Sequence, residues 1–359
     1  MATMERPKIA LLHDYLNQWG GAERVLLVLS EIFPDAPIYT LLYDEEKTLG
    51  KFKNRVKQTS FIDTRFTRRH HRSFIPTFPL LSGNFKVKDY DFVISSSAGY
   101  AKGFNVGNAF HISYCHTPLR YAWESGYLKF SILKPLIWCL QNWDYKAGQK
   151  PDILIANSGF IAQKIKKCYG RKAEVIYPPV DTAKFYFDKN IPQGNHFLMA
   201  GRLLHYKRFD LGVRAFNRLK MPLVIVGDGP EFKNLRKIAD PEFIKFKSFV
   251  GDDELKKLYN EAKALIFPQV EDFGLVAAEA QTCGLPVIAF RKGGATEIIE
   301  EGVTGFFFDN QSSEAVIESV NKCKKMRFNR SEIARKALRF SKENFIKGII
   351  NAIPDEIRP

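Results

Sequence analysis

Cysteine is scarce in this chain of 359 residues and never clustered. Cys115, Cys139, Cys168, Cys283 and Cys323 are scattered, odd in number and free of any Cys-x-x-Cys pair. That spacing argues against a disulfide scaffold and a thiolate zinc site, and it fits a reducing compartment. Long apolar runs are missing as well. Phe130-Ser-Ile-Leu-Lys-Pro-Leu-Ile-Trp-Cys-Leu140 is short and interrupted by Lys134, so it does not read as a bilayer span. Met1-Ala-Thr-Met-Glu-Arg-Pro7 passes straight into a strand without the charged-then-apolar pattern of a leader. The expected location is cytoplasmic, with the inner face of the membrane left open. Internal repeats and low-complexity segments are absent, as are a Walker motif, a full G-x-G-x-x-G and a metal-ligand cluster.

What is present is a globular composition, 45% hydrophobic and 26% charged, in a chain long enough for two domains. The net charge is +15. Residues 1–180 hold 25 Lys and Arg against 15 Asp and Glu, and residues 181–359 hold 29 against 24, so the excess leans to the front. Such a balance points to an anionic partner: nucleic acid, an anionic membrane surface or a phosphorylated substrate.

Lys8-Ile-Ala-Leu-Leu-His13 reads as a buried parallel strand. Gly20-Gly21 and a helix over Ala22 to Phe33 follow it, an arrangement that can hold a phosphate on unpaired N–H groups or serve only as a tight turn. Further strands are expected at Pro37–Tyr43, Asp91–Ser95, Phe110–Tyr114 and Asp152–Ala156. His116 stands just past a strand end, where functional loop residues gather, although a lone histidine is more often structural. Arg65 to Leu81 sets four arginines beside aromatic and aliphatic residues. That mixture suits shallow contact with anionic lipid and equally an ordinary basic loop packed under its own apolar side chains. A nucleic-acid-binding motif does not accompany it.

Val175-Ile-Tyr-Pro-Pro-Val-Asp181 is stiff and extended, and a second α/β series begins after it. The expected domains are therefore 1–180 and 181–339, with an amphipathic helix over about 340–359. The second series has strands at His196–Ala200, Pro222–Val226, Phe246–Val250, Leu265–Phe267, Pro286–Phe290 and Gly305–Phe308. Arg202 and Lys207 follow the first of these, placed to grip a diphosphate. Glu271 lies in the loop after Leu265–Phe267, and Glu279 about one turn into a helix between Gly274 and Gly284. Carboxylates accept paired sugar hydroxyls, so Glu279 is a candidate for a ribose and Glu271 for a second sugar. Ala277, Ala278 and Ala280 offer a small-residue face beside Glu279 that would let a ligand approach closely. Cations for phosphates and acids for sugars describe a nucleotide-sugar site, and the two alternating βα series describe two Rossmann-like domains.

Gly201-Arg202 with Lys207-Arg208, Val226-Gly-Asp-Gly-Pro230, and Glu271-x7-Glu279 followed by Cys283-Gly-Leu-Pro-Val-Ile288 resemble the retaining glycosyltransferases of family 4, from about Lys8 to past Phe308. Gly20-Gly-Ala-Glu23 and Gly293-Gly-Ala-Thr-Glu297 share the resemblance. It implies a GT-B fold: α/β, two Rossmann-like domains facing a central cleft, an acceptor-side first domain and a nucleotide-sugar donor domain second. The terminal helix would then pack back on the first domain. Ser113-Tyr-Cys-His-Thr-Pro-Leu-Arg-Tyr-Ala-Trp123 is similar to the branch of bacterial mannosyltransferases of O-antigen and exopolysaccharide assembly, which use GDP-mannose.

By this resemblance Arg202 and Lys207 hold the donor diphosphate, Glu279 the ribose and Glu271 the sugar. Backbone around Phe273, Gly274 and Leu275 contacts sugar or phosphate, Gly20-Gly21 completes the phosphate site, and His116 touches the sugar near the reacting carbon. It further implies catalysis without a metal or cofactor, and a glycan or polyprenyl-linked acceptor. A UDP-sugar donor, a non-catalytic nucleotide-sugar sensor and a nucleic-acid-binding protein are the alternatives.

Overall fold

Aliphatic runs buried on both faces need helices on both sides, which favours parallel pairing through helical crossovers. The computed structural model describes residues 7–124, 134–248 and 250–358. The Phe130 end of the interrupted apolar run, and Phe249 in the expected strand Phe246–Val250, lie outside the described residues. The chain divides into two compact units, Met1–Pro179 with Glu343–Pro359, and Val180–Lys342.

In the first unit the elements are β1 (Ile9–His13), α1 (Gly21–Ile32), β2 (Ile38–Thr40), β3 (Val56–Gln58), α2 (Arg65–Arg69), α3 (Phe78–Asn84) and β4 (Phe92–Ser97). β5 (Phe110–Cys115), α4 (Arg120–Trp123), α5 (Lys134–Gln149), β6 (Ile153–Ala156), α6 (Gly159–Tyr169) and β7 (Glu174–Val175) follow. The parallel sheet has the order β3-β2-β1-β4-β5-β6-β7, so the direction of winding reverses between β1 and β4. Alternate residues of β1 serve opposite faces. Leu11 packs with Val25, Leu26 and Leu29 of α1, whereas Ala10 and Leu12 join Phe78, Tyr100 and Phe104. Local chemistry sets helix ends: Ser158 Oγ accepts from Ile161 N at 3.1 Å to start α6, and Gly170, at φ +70°, ends it.

Two strands add to the expected series, β3 and β7. Both are edge strands whose exposed Lys57, Gln58 and Glu174 hide any apolar alternation. The expected Pro37–Tyr43 strand shortens to β2, because Leu41 N turns aside to donate to Asp14 O at 3.1 Å.

The second unit comprises β8 (Phe197–Ala200), α7 (Phe209–Leu219), β9 (Leu223–Val226), α8 (Phe232–Ile238), β10 (Ile244–Lys247), α9 (Asp252–Glu261) and β11 (Leu265–Phe267). Then come α10 (Leu275–Thr282), β12 (Val287–Phe290), α11 (Ala295–Ile298), β13 (Gly305–Phe308), α12 (Ser313–Lys324) and α13 (Arg330–Ala337). The order is β10-β9-β8-β11-β12-β13, parallel throughout, and the winding reverses between β8 and β11. Phe197, Met199, Ile225, Ile266 and Ile288 pack with Val213 and Phe216 of α7 and Val316 and Val320 of α12.

The last helix, α14 (Lys342–Ala352), belongs from Glu343 onward to the first unit. Its Phe345 and Ile349, with Ile353 just beyond, enter the cluster that holds Leu11 and Ile94. Phe345 meets Tyr114 edge-on at 5.6 Å.

Candidate functional site

Open parallel sheets bind ligands beyond strand carboxyl ends, where the winding reverses. In the second unit that place is the pair of loops after β8 and β11. The β8 loop starts at Gly201 (φ +135°) and is laid against the β9 loop backbone to backbone. A Cβ on Gly227 would stand 2.0 Å from Gly201 O, and one on Gly229 2.5 Å from Leu203 O. Leu203 N donates to Asp228 O at 2.9 Å, closing the contact. The loop ends in a 3-10 turn, His205–Lys207, and Arg208 enters α7 in the left-handed region at φ 53°. A non-glycine residue there costs roughly 1–3 kcal/mol, so packing must hold it.

That turn carries Lys207 to Glu271: Nζ and Oε1 are 3.0 Å apart, with the side chains only 14% and 18% exposed. The Glu271 loop rests on the Gly293-Gly294 joint. Gly294 N donates to Glu271 O at 2.9 Å. A Cβ on Gly293 would lie 2.4 Å from Glu271 O, and one on Gly294 2.2 Å from Phe273 O. This glycine pair supports the acidic loop from behind. The Phe273 side chain is buried against Phe340, ring centroids 5.3 Å apart. Gly274, at φ +109°, turns the chain into α10, which opens at Leu275.

Glu279 is 3% exposed, and Tyr259 OH donates to its Oε2 at 3.5 Å. Ala277, Ala278 and Ala280 are fully buried, so the small face pictured as admitting a ligand serves protein packing instead. Arg202 is exposed at the mouth of the β8 loop. Sequence reasoning passed over Gln269, buried just past β11 with no partner at Oε1. Its signal was position alone, a polar residue two past a buried strand.

In the first unit the reversal lies between β1 and β4, and polar side chains converge there. Register places His13 opposite Ser96, and Ser96 opposite Tyr114 of β5. His13 Nδ1 is 3.2 Å from Ser96 Oγ, which is 2.8 Å from His116 Nε2. His116 is also clamped by its backbone: its N–H donates to Ser97 O at 2.8 Å, and its carbonyl accepts from Asn157 Nδ2 at 3.1 Å. Burial first, and then neighbouring His13, hold the His116 pKa down to about 3. The imidazole is therefore neutral at pH 7.

Ser95, Ser96 and Ser97 all have work at the end of β4. Ser95 Oγ meets His111 Nε2 at 2.9 Å, and Ser97 Oγ donates to Asp14 Oδ1 at 3.0 Å. Asp14 further accepts from the N–H groups of Ala98, Tyr100 and Ala101. A triple serine ending a buried strand is a legible signal that the sequence reading did not use.

Gly20-Gly21 opens α1 as expected, but the helix start already faces an acid. A Cβ on Gly20 would come 3.1 Å from Glu23 Oε2, and Glu23 is 2% exposed. A buried carboxylate in the first turn supplies the anion that the helix N-terminus favours. Beside this region Lys102 and Asp144, both fully buried, pair at 2.7 Å. Asp144 also accepts from Trp123 Nε1 at 2.7 Å and Tyr169 OH at 2.8 Å, tying α4, α5 and α6 together.

Two other sequence features fall elsewhere. Asp89-Tyr90-Asp91 has two carboxylates at a spacing that could serve a divalent cation. It lies at the amino end of β4, where Asp91 Oδ2 accepts from Lys8 N at 2.6 Å. Arg65 to Leu81 folds as α2, a 3-10 turn and the start of α3. Ile75 and Phe78 point inward, while Phe66 and Leu80 are 66% and 72% exposed beside exposed Arg65, Arg69 and Arg72. No described helix is long and apolar enough to cross a membrane.

Gly20, Gly21 and His116 thus belong to the first unit, and Arg202, Lys207, Glu271, Phe273, Gly274, Leu275 and Glu279 to the second. Residues 19–184 match the model of Glycosyltransferase Family 4, and residues 181–340 that of Glycosyl transferases group 1. The D-inositol 3-phosphate glycosyltransferase of Acidothermus cellulolyticus is 29% identical over 242 residues, 57% of this chain and 54% of that protein. The GDP-mannose-dependent alpha-(1-6)-phosphatidylinositol monomannoside mannosyltransferase of Mycobacterium tuberculosis is 29% identical over 204 residues, 49% of this chain and 53% of that one. The chain spans about half the length of these curated relatives. Among solved structures, Anabaena HepE in complex with UDP-glucose superposes with a TM-score of 0.73 at 20% identity, covering 97% of this chain and 100% of that one. The lipopolysaccharide outer core galactosyltransferase WaaB gives 0.67 at 18% identity, covering 96% and 98%.

Proposed function

The chain belongs to the family 4 glycosyltransferases of GT-B fold, and from that premise we propose that it transfers a hexose from a nucleotide sugar, with retained anomeric configuration and without a metal. The single observation that carries this reading is the Lys207–Glu271 pair at the winding reversal of the second unit. A half-buried cation and acid, set on glycine-supported loops, can part to take a phosphate and a sugar hydroxyl respectively. Arg202 adds a bidentate fork for the diphosphate. Glu279 accepts from the ribose hydroxyls, and backbone N–H groups at Phe273 to Leu275 complete the donor contacts. Of the first unit's residues, His116 is read as a sugar contact and Gly20-Gly21 as a source of further backbone N–H groups.

In the displacement the bond from the anomeric carbon to the phosphate oxygen breaks and a bond to the acceptor oxygen forms on the same face. The acceptor's proton passes to the departing phosphate. Lys207 and Arg202 lower the barrier by meeting the charge that develops on that group.

GDP-mannose is the proposed donor, on the strength of the Ser113 to Trp123 similarity and of the mannosyltransferase relatives. The complex of Anabaena HepE with UDP-glucose keeps UDP-glucose as the competing donor. The proposed acceptor is a glycan, free or polyprenyl-linked, of a bacterial surface polysaccharide, reached from the cytoplasmic face of the membrane. Exposed Phe66 and Leu80 among Arg65, Arg69 and Arg72 support contact with anionic lipid. A nucleotide-release screen over GDP-mannose, UDP-glucose, UDP-N-acetylglucosamine and GDP-fucose tests the reading. Release of GDP from GDP-mannose alone supports it, release from a UDP-sugar alone replaces the donor, and binding without release from any donor makes the protein a sensor.

A further inference from the structure

The His116 ring meets Ser96 Oγ at Nε2, and what stands behind that contact reaches further than one serine. Glu23 Oε1 lies 3.8 Å from His13 Nε2, within ion-pair reach, and both side chains are at most 3% exposed. Gln18 Nε2 donates to the same oxygen at 3.4 Å. From Glu23 the groups run in series through His13, Ser96 and His116, at the point where the first sheet reverses its winding.

Donor and acceptor counting gives this series a direction. A carboxylate facing His13 Nε2 favours the ring hydrogen on that nitrogen, because the other neutral tautomer would aim a lone pair at an anion. In that neutral form the ring presents its lone pair at Nδ1. Ser96 has one hydrogen, and at 3.2 Å it must give it to His13. With that hydrogen used, Ser96 Oγ can only accept from His116, 2.8 Å away. The hydrogen of His116 therefore sits on Nε2, and Nδ1 carries the lone pair.

We propose that Glu23, acting by its charge on His13, and Ser96, hydrogen-bonded to both imidazoles, form a one-way relay that fixes the tautomer of His116, so that its Nδ1 is an acceptor and not a donor. These three are positioning residues. Resting on the reading of His116 as touching the transferred sugar, the relay makes that contact one in which a sugar hydroxyl donates to Nδ1. It also accounts for Gly20, where a side chain would press on the Glu23 carboxylate.

The test is 15N NMR of the full chain labelled at its seven histidines, with His116 assigned by His116→Gln. The neutral wild-type ring is expected with its hydrogen on Nε2. Ser96→Ala cuts the relay and Glu23→Gln lets an amide donate to His13; each is expected to shift His116 toward the Nδ1–H form. Ser96→Thr, which keeps the hydroxyl, restores the wild-type signal. Partners that orient a metal-bound imidazole typically matter at about the 10–100-fold level; on the same scale, kcat should fall by about that factor in Ser96→Ala and Glu23→Gln. The donor KM should hold, and Ser96→Thr should recover most of the rate. An Nδ1–H tautomer in the wild type, or one unchanged in both variants, overturns the relay. Tautomer shifts as expected in a protein that releases no nucleotide would uphold the relay and sink the transferase reading instead.

Discussion

The ammonium of Lys207 meets the carboxylate of Glu271 at 3.0 Å, across the two loops that flank the winding reversal of the second sheet. Neither residue could find the other by local preference. Arg208 in the left-handed region aims the lysine, and Gly293-Gly294 behind the acidic loop aims the glutamate.

Lys207→Ala should lower turnover by about 10²–10³, the usual result of removing one preorganised contact to developing charge. Circular dichroism of the variant should match the wild type. Near-normal nucleotide release would remove Lys207 from the proposed role.

The buried Lys102–Asp144 pair is a matter of stability. Removing one partner leaves an uncompensated charge inside the protein, at a cost of about 3–5 kcal/mol. Asp144→Asn also weakens the acceptor for Trp123 and Tyr169. Denaturant melts should show the loss in Lys102→Met and in Asp144→Asn, and a smaller loss in the double variant, which buries no lone charge.

Gly227→Ala should be severely destabilising: the residue sits at φ +143°, and the added Cβ would lie 2.0 Å from Gly201 O. Relief would have to come from the β8 loop that carries Lys207. A thermal melt should drop markedly, and whatever folds should have lost nucleotide-sugar protection. Gly107→Ala, also at positive φ but with open space around it, gives the comparison for backbone strain alone.

Burial holds the pKa of His111 and of His116 down to about 3, well below the ordinary value of about 6.5. Above that ordinary value both states are neutral and neither residue makes stability depend on pH. As pH falls through 6.5 toward 3, the unfolded chain takes up protons that the folded one refuses, so stability declines across that window. His111→Gln should flatten the decline. Urea titrations at pH 7.5, 6 and 5 measure the slope, and an unchanged slope would rule His111 out as a contributor.

Replacing Arg65, Arg69 and Arg72 with glutamate should abolish flotation with phosphatidylglycerol vesicles and leave transfer to a soluble acceptor intact. Flotation of the wild type with neutral vesicles to the same extent would contradict the charge-based contact.

Much of the architecture was legible, because parallel strands buried on both faces leave unbroken apolar runs such as Ile9-Ala-Leu-Leu12 and Phe92-Val-Ile94. Edge strands were not, since Lys57, Gln58 and Glu174 face solvent and carry no alternation. The candidate residues Arg202, Lys207, Glu271 and Glu279 could be named from motif spacing. Their surroundings could not. The alanines beside Glu279 looked like an approach path and are core, and Gly293-Gly294 serves as a rest for a neighbouring loop.

By itself the sequence determined the alternation of strands and helices, the glycines at strand ends and the residue types available for phosphates and sugars. These follow from local periodicity and chemistry, which a linear string preserves. Only the tertiary structure decided that Lys207 pairs with Glu271, that Glu23 lies behind His13, and that Ser96 bridges two histidines. Those contacts depend on strand order and register across each reversal of winding, where residues distant in the chain come within hydrogen-bond or ion-pair reach.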